Sequence, residues 1–89
     1  MTKKAQLILS KFIIRVNLAL GLFNDKIIDK SSCLYRVDRA TNDFNNMIFH
    51  MFTFNLLSNS DFHELFLQAK AYNTTALSLI EKIYKEEGD

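Results

Sequence analysis

The chain has 89 residues and a mass of 10.4 kDa, room for one domain spanning residues 1–89 and for no second one. Lys and Arg number 11 against 10 Asp and Glu, so a net charge of +1 gives no global field to hold nucleic acid. One cysteine excludes an internal disulfide framework, and a chain that is 48% hydrophobic is not disordered.

No proline occurs, and glycine stands only at positions 21 and 88. Hairpin turns usually need Gly or Pro chemistry, so the chain reads as helical. We place three helices at about residues 3–23, 32–57 and 60–86, joined by residues 24–31 and 58–60, with bounds good to about three residues. No internal repeat, low-complexity tract or linker is evident. Asn, Lys, Ile, Phe and Tyr supply 35 residues whereas Gly, Ala, Arg and Pro supply 11. That skew is the mark of AT-rich coding and suggests a phage, a mobile element or an AT-rich bacterium as the origin.

The first helix sets Ala5, Leu9, Phe12, Val16, Ala19 and Phe23 on one face at alternating spacings of four and three, with Ile8, Ile13 and Leu20 widening the stripe. A second ridge lies almost opposite: Leu7, Ile14 and Leu18, with Lys4, Lys11 and Arg15 beside it. Lys11 and Arg15 interrupt the apolar run, and no small-residue cleavage site follows, so the segment does not read as a signal peptide. The longest uncharged stretch, residues 44–60, contains Asn45, Asn46, His50 and Asn55 and is too short and polar to span a bilayer. A cytoplasmic protein with a reduced Cys33 is the expectation.

The second helix changes character midway. Leu34, Val37, Thr41, Phe44 and Ile48 form an amphipathic stripe, but residues 47–57 are apolar nearly all round, the pattern of a helix buried on every side. Phe49 and Phe54 project away from the main stripe, as does Leu57 if the helix reaches that far. On the polar side Arg36, Arg39, Asp43, Asn46 and His50 follow one another at three and four spacings and make a single row. Arg offers fork donors for phosphate or carboxylate, Asn a donor and an acceptor, and His50 a charge that changes near neutral pH. The row therefore reads as a binding face; the plainer alternative is a solvated helix face with an Arg39–Asp43 pair.

The third helix opens on Ser58-Asn-Ser-Asp-Phe-His-Glu64. Asp61 with Glu64 fits the reciprocal capping pattern, and His63, in the first turn, should face solvent. Phe62, Leu65, Ala69, Tyr72, Ala76, Leu79 and Ile83 then recur at strict three and four spacing. Asn73 lies within the apolar arc between two alanines. In a symmetric helix pair a buried Asn can fix register, and otherwise it is satisfied at the edge of the bundle.

Catalytic chemistry finds little support. His50, His63 and Cys33 offer no short-spaced ligand pair, so neither a metal nor a cofactor is expected. Two glycines cannot make a phosphate loop. Helical ribonucleases of the HEPN type carry an Arg followed about four to six residues later by His on one helix, whereas the nearest arginine upstream of His50 is Arg39, eleven residues away, so that likeness fails. The basic strip Lys3, Lys4, Lys11 and Arg15 supports only weak, salt-sensitive nucleic-acid binding.

A three-helix bundle of this size buries only about 60–65% of its unfolded surface and has one interior, yet apolar rows lie on two sides of the first helix and around the end of the second. The fold expected is all-α: an antiparallel three-helix unit associating through its first two helices into a helical-bundle homo-oligomer, most simply a dimer, with Leu7, Ile14, Leu18 and Asn73 at the interface. The function expected is that of a non-enzymatic interaction module, comparable with phage-type inhibitors and regulators of a larger protein, acting through Phe49, Phe54 and the Arg36–His50 row. Two alternatives stand beside it: an oligomer that binds a nucleotide or other phosphate through Arg36, Arg39 and Lys11, and a nucleic-acid-binding regulator. Membrane association is not expected.

Overall fold

Three capping side chains start three helices in the same way. Thr2 Oγ1 accepts the N–H of Ala5 at 3.2 Å, Asp29 Oδ1 that of Ser32 at 2.8 Å, and Ser58 Oγ that of Asp61 at 3.0 Å. Each satisfies a donor that the first helical turn leaves without a partner. A computed structural model, which describes residues 1–87, places α1 at Lys3–Asn24, α2 at Lys30–Thr53 and α3 at Asn59–Glu87. Ser58, and not Asp61, is therefore the cap of α3. Asp61 stands inside the first turn, where it is buried and accepts a 2.7 Å hydrogen bond from Thr2 Oγ1.

The two connections are built alike. Ile27 N–H reaches back to Leu22 O at 2.9 Å and Lys26 N–H to Phe23 O at 3.0 Å; Leu56 N–H reaches Met51 O at 2.7 Å and Asn55 N–H Phe52 O at 3.0 Å. This is the paired closure that ends a helix on a left-handed residue. Here those residues are Lys26 (φ 63°) and Asn55 (φ 59°) rather than glycine. Phe23-Asn-Asp-Lys-Ile-Ile-Asp29 and Phe52-Thr-Phe-Asn-Leu-Leu-Ser58 match position by position in role. The chain does repeat itself, in its turns, although its helices do not. The second turn also corrects the expected reach of the second helix, which stops at Thr53; Leu57 lies beyond it and folds back into the core.

Short turns make neighbouring helices antiparallel. All three helices touch one another in a rod of 49 × 17 × 16 Å. α1 and α3 run the same way, so Thr2 meets Asp61 at one end while Tyr72 O–H donates to Asn17 Oδ1 in the middle. At the far end Lys30 pairs with Glu81 at 2.6 Å and lies over the Tyr84 ring.

The core follows the expected row of α1 without exception: Ala5, Leu9, Phe12, Val16, Ala19 and Phe23 are buried, with Ile8. Phe12 is its centre, 4.8 Å from the Phe44 ring and 6.2 Å edge-on to Tyr72. In α2, Val37, Phe44 and Ile48 are joined by Cys33 and Ala40. Cys33 is wholly buried; its thiol donates to Ala19 O at 3.5 Å, and desolvation pushes its pKa up. In α3 the row departs from expectation. Leu79 is 41% exposed and Ile80 is completely buried. A strict three-four alternation has a period of 3.5, and a straight helix drifts about 20° per heptad against it. Late in the row the four-residue step from Ala76 to Ile80 keeps the core face, and Leu79 slides off it.

The end of α2 departs further. Its all-apolar half is not buried all round: Met47, Phe49 and His50 are exposed, and only Ile48 is fully covered. Two neighbouring helices cover one arc of α2, and among the described residues nothing else covers the rest.

Candidate functional site

The polar row of α2 lies along the seam with α1. Asp43 is its organising group. Arg15 of α1 donates through Nη1 to Asp43 Oδ2 at 2.9 Å, and Arg39 Nε stands 3.9 Å from the same oxygen. The expected Arg39–Asp43 pair is thus the weaker of the two, and the closer partner comes from another helix. Both side chains of the Arg15–Asp43 bridge are half-exposed, so the pair stabilises by about 0–1 kcal/mol and acts mainly as a strap across the seam. Arg39 also donates through Nη1 to Tyr35 Oη at 3.1 Å, and that bond, first among its causes, raises the Arg39 pKa.

The strap divides the α1/α2 seam into two hollows. On one side Ile8, Lys11, Phe12, Ala40, Phe44 and Met47 line a mainly apolar groove of about 200 Å³ closed by Arg15 and Asp43. On the other, Arg15, Leu18, Ala19, Tyr35, Arg36 and Arg39 line a cavity of about 130 Å³. A broad open depression with Ser31 and Ser32 adjoins it, sharing Tyr35 and Arg36. Of the expected row, Arg36, Arg39 and Asp43 are brought together at the seam. Lys11 lies beyond the strap, away from the two α2 arginines. Asn46 and His50 are exposed farther along α2 and line neither hollow, and the Phe49 ring lies 6.4 Å from His50. His63 is exposed on α3. Arg15 and Tyr35 complete the cluster. Sequence spacing missed them because Arg15 sits on another helix, and Tyr35, one turn before Arg39, was not among the residues singled out.

The apolar candidates fall on different faces. Leu7, Ile14 and Leu18 stand 58%, 65% and 59% exposed on α1, turned from the core row. Phe49 (60%), Phe54 (72%) and Leu56 are each exposed at the end of α2 and in the turn after it, where Phe52 stacks on Phe62 at 4.5 Å. Asn73 does not share the α1 face. It sits in the α2/α3 seam, half-buried, where its Oδ1 accepts from Thr41 Oγ1 at 3.1 Å. One flat interface cannot include Asn73 together with Leu7, Ile14 and Leu18.

α1 is also long and apolar enough to cross a membrane by length and composition, with a mean hydropathy of 1.5 over its most apolar 18 residues, 39% of which are buried in the bundle. Among the described residues, no three His, Cys, Asp or Glu side chains lie close enough together to hold a metal ion. No protein family model, curated protein or solved structure matches the chain.

Proposed function

We propose that this chain is a non-enzymatic interaction module that self-associates through α1 and presents Phe49, Phe54 and the polar row of α2 to a larger protein. The observation that carries the reading is the outward row Leu7, Ile14 and Leu18, three aliphatic side chains more than half in water on a helix whose core row is already filled. The area agrees. The chain exposes 6038 Å², against about 5,400 Å² for a compact monomer of its mass. That surplus goes with the rod shape of 49 × 17 × 16 Å, which lays the whole length of α1 open to a second copy.

Charge favours one arrangement of the second copy. α1 carries Lys3, Lys4, Lys11 and Arg15 and no acid. Parallel pairing of α1 with its own copy would set these charges level with themselves. Antiparallel pairing about a two-fold axis sets Leu7 opposite Leu18 of the partner and Ile14 against the methylenes of Lys11. Leu7→Cys and Leu18→Cys variants, mixed and oxidised, should give the mixed disulfide, with little product from either alone. Equal cross-linking of each variant with itself supports parallel pairing. A 10.4 kDa particle at 100 µM removes self-association altogether. The second half of the reading is tested by affinity capture from the native cell: a partner retained by the parent and lost with Phe49→Ser/Phe54→Ser supports it, and no specific retention removes it.

A further inference from the structure

Arginine is scarce in this chain. There are three, at positions 15, 36 and 39, among eleven cationic residues. Lysine serves solubility equally well, and the composition favours it, so the placement of the few arginines is informative. All three line one cavity of about 130 Å³ at the α1/α2 seam, reached from two helices.

We propose that this cavity binds the phosphoryl group of a small hydroxylated phosphate monoester, an inference that rests on the three arginines and not on self-association, although Leu18 belongs to both faces. Guanidinium forks match phosphate oxygens two at a time, which ammonium groups do not. Two of the three forks stand by one resident carboxylate, Asp43, which is held by Arg15 at 2.9 Å and lies 3.9 Å from Arg39 Nε. Among the described residues no carboxylate lies within 4 Å of Arg36. The cluster therefore keeps an excess of positive charge. Tyr35 Oη accepts from Arg39, which leaves its own O–H to donate to an anion. Leu18 and Ala19 supply an apolar wall.

The neighbouring depression gives the class of ester. It shares Tyr35 and Arg36 with the cavity and is completed by the exposed Ser31 and by Ser32, whose hydroxyl donates to Asp29 and keeps its oxygen to accept from a ligand. A phosphate seated among the arginines directs its organic part past Arg36 onto these serines and the Tyr35 ring. Hydroxyls and an aromatic face suit a sugar phosphate or a nucleoside monophosphate.

The test uses the whole protein, labelled with ¹⁵N, and three probes at matched ionic strength: inorganic phosphate, ribose 5-phosphate and adenosine monophosphate. The side-chain Nε–H signals of Arg15, Arg36 and Arg39 should shift together and saturate. Both esters should bind at least several-fold tighter than inorganic phosphate. Tighter binding of the nucleotide than of the sugar phosphate places its base on Tyr35, and equal binding shows that the sugar phosphate is what is read. Arg36→Gln/Arg39→Gln should weaken binding by about tenfold or more, and Arg36→Lys/Arg39→Lys, which keeps the charge, should still lose roughly fivefold because the forks are gone. Both positions are exposed, so these variants keep the fold, as circular dichroism will verify. Shifts equal to those from sodium chloride, binding unchanged in either double variant, or inorganic phosphate binding as tightly as the esters would each overturn the assignment.

Discussion

Ile14→Lys is the sharpest test of the α1 face. Full burial of a Leu or Ile side chain stabilises by about 1.5–3 kcal/mol. Leu7, Ile14 and Leu18 are 58–65% exposed, so each has about 1–2 kcal/mol left to gain. A symmetric dimer buries each twice, about 6–11 kcal/mol gross, against an association cost of about 4–15 kcal/mol. The row alone thus sits near balance, and every member of it matters. Ile14→Lys removes its contribution from both copies, about 2–4 kcal/mol, which raises the dimer Kd about 30- to 1,000-fold. Folding of the subunit should change by no more than about 0.5 kcal/mol, because Ile14 touches no core residue on its outward side. Sedimentation velocity from 1 to 500 µM reads the first effect, and urea unfolding at low concentration reads the second. The parent dimer should also tighten as salt rises, since α1 brings like charges together. An unchanged Kd in Ile14→Lys refutes the assignment of this face. A parent that remains monomeric but partitions onto anionic lipid vesicles refutes the second copy and assigns the row to a membrane surface.

Other outcomes follow from the fold. Thr2→Val removes one hydroxyl that both caps α1 and donates to the buried Asp61 carboxylate, and should cost about 2 kcal/mol in urea unfolding. Lys26→Gly relieves a left-handed conformation and should stabilise by about 0.5–1 kcal/mol, seen as a higher Tm; no gain would mean that the Lys26 side chain offsets its backbone cost. Ile80→Ala should destabilise by about 2–5 kcal/mol and Leu79→Ala by much less, the reverse of what the row in the sequence implies. Asp29 is held below its usual 3.8 by the Ser32 backbone N–H and then by the Ser32 hydroxyl. Its contribution is therefore present above pH 3.8 and lost as pH falls through the lower folded value. Asp29→Asn, which caps without charge, should show a shallower acid limb in a pH series of thermal melts.

The three helices were legible because the signal is local. Periodicity exposes the α1 row completely, and the absence of proline removes the main competitor to long helices. What the sequence hid was set by geometry over distance or by unlabelled turn chemistry. Leu79 and Ile80 exchange places because a small angular drift accumulates over several turns, which no single spacing reveals. The second turn escaped notice because its left-handed residue is Asn55 and the first one's is Lys26, neither a glycine. Yet the aligned Phe23–Asp29 and Phe52–Ser58 segments show that one turn design serves twice, and the comparison was open to a reader of the sequence alone.

The site was legible only where it lay on one helix. Arg36, Arg39 and Asp43 share a face of α2 by spacing, and the structure keeps them together. Arg15 joins them across the seam through a bond spanning 28 positions of chain, and no spacing rule reaches that far. The surplus apolar surface has a different origin. A chain of this size has too few elements to cover every row it carries, and burial cannot be assigned from residue type when core and surface draw on the same Leu, Ile and Phe. The all-apolar half of α2 illustrates the point. The pattern that means burial in a large protein leaves Phe49 and Phe54 in water here, because α1 and α3 occupy one arc of α2 and, among the described residues, no further helix occupies the other. In so small a fold, an all-round apolar stretch does not by itself mean burial within the same chain.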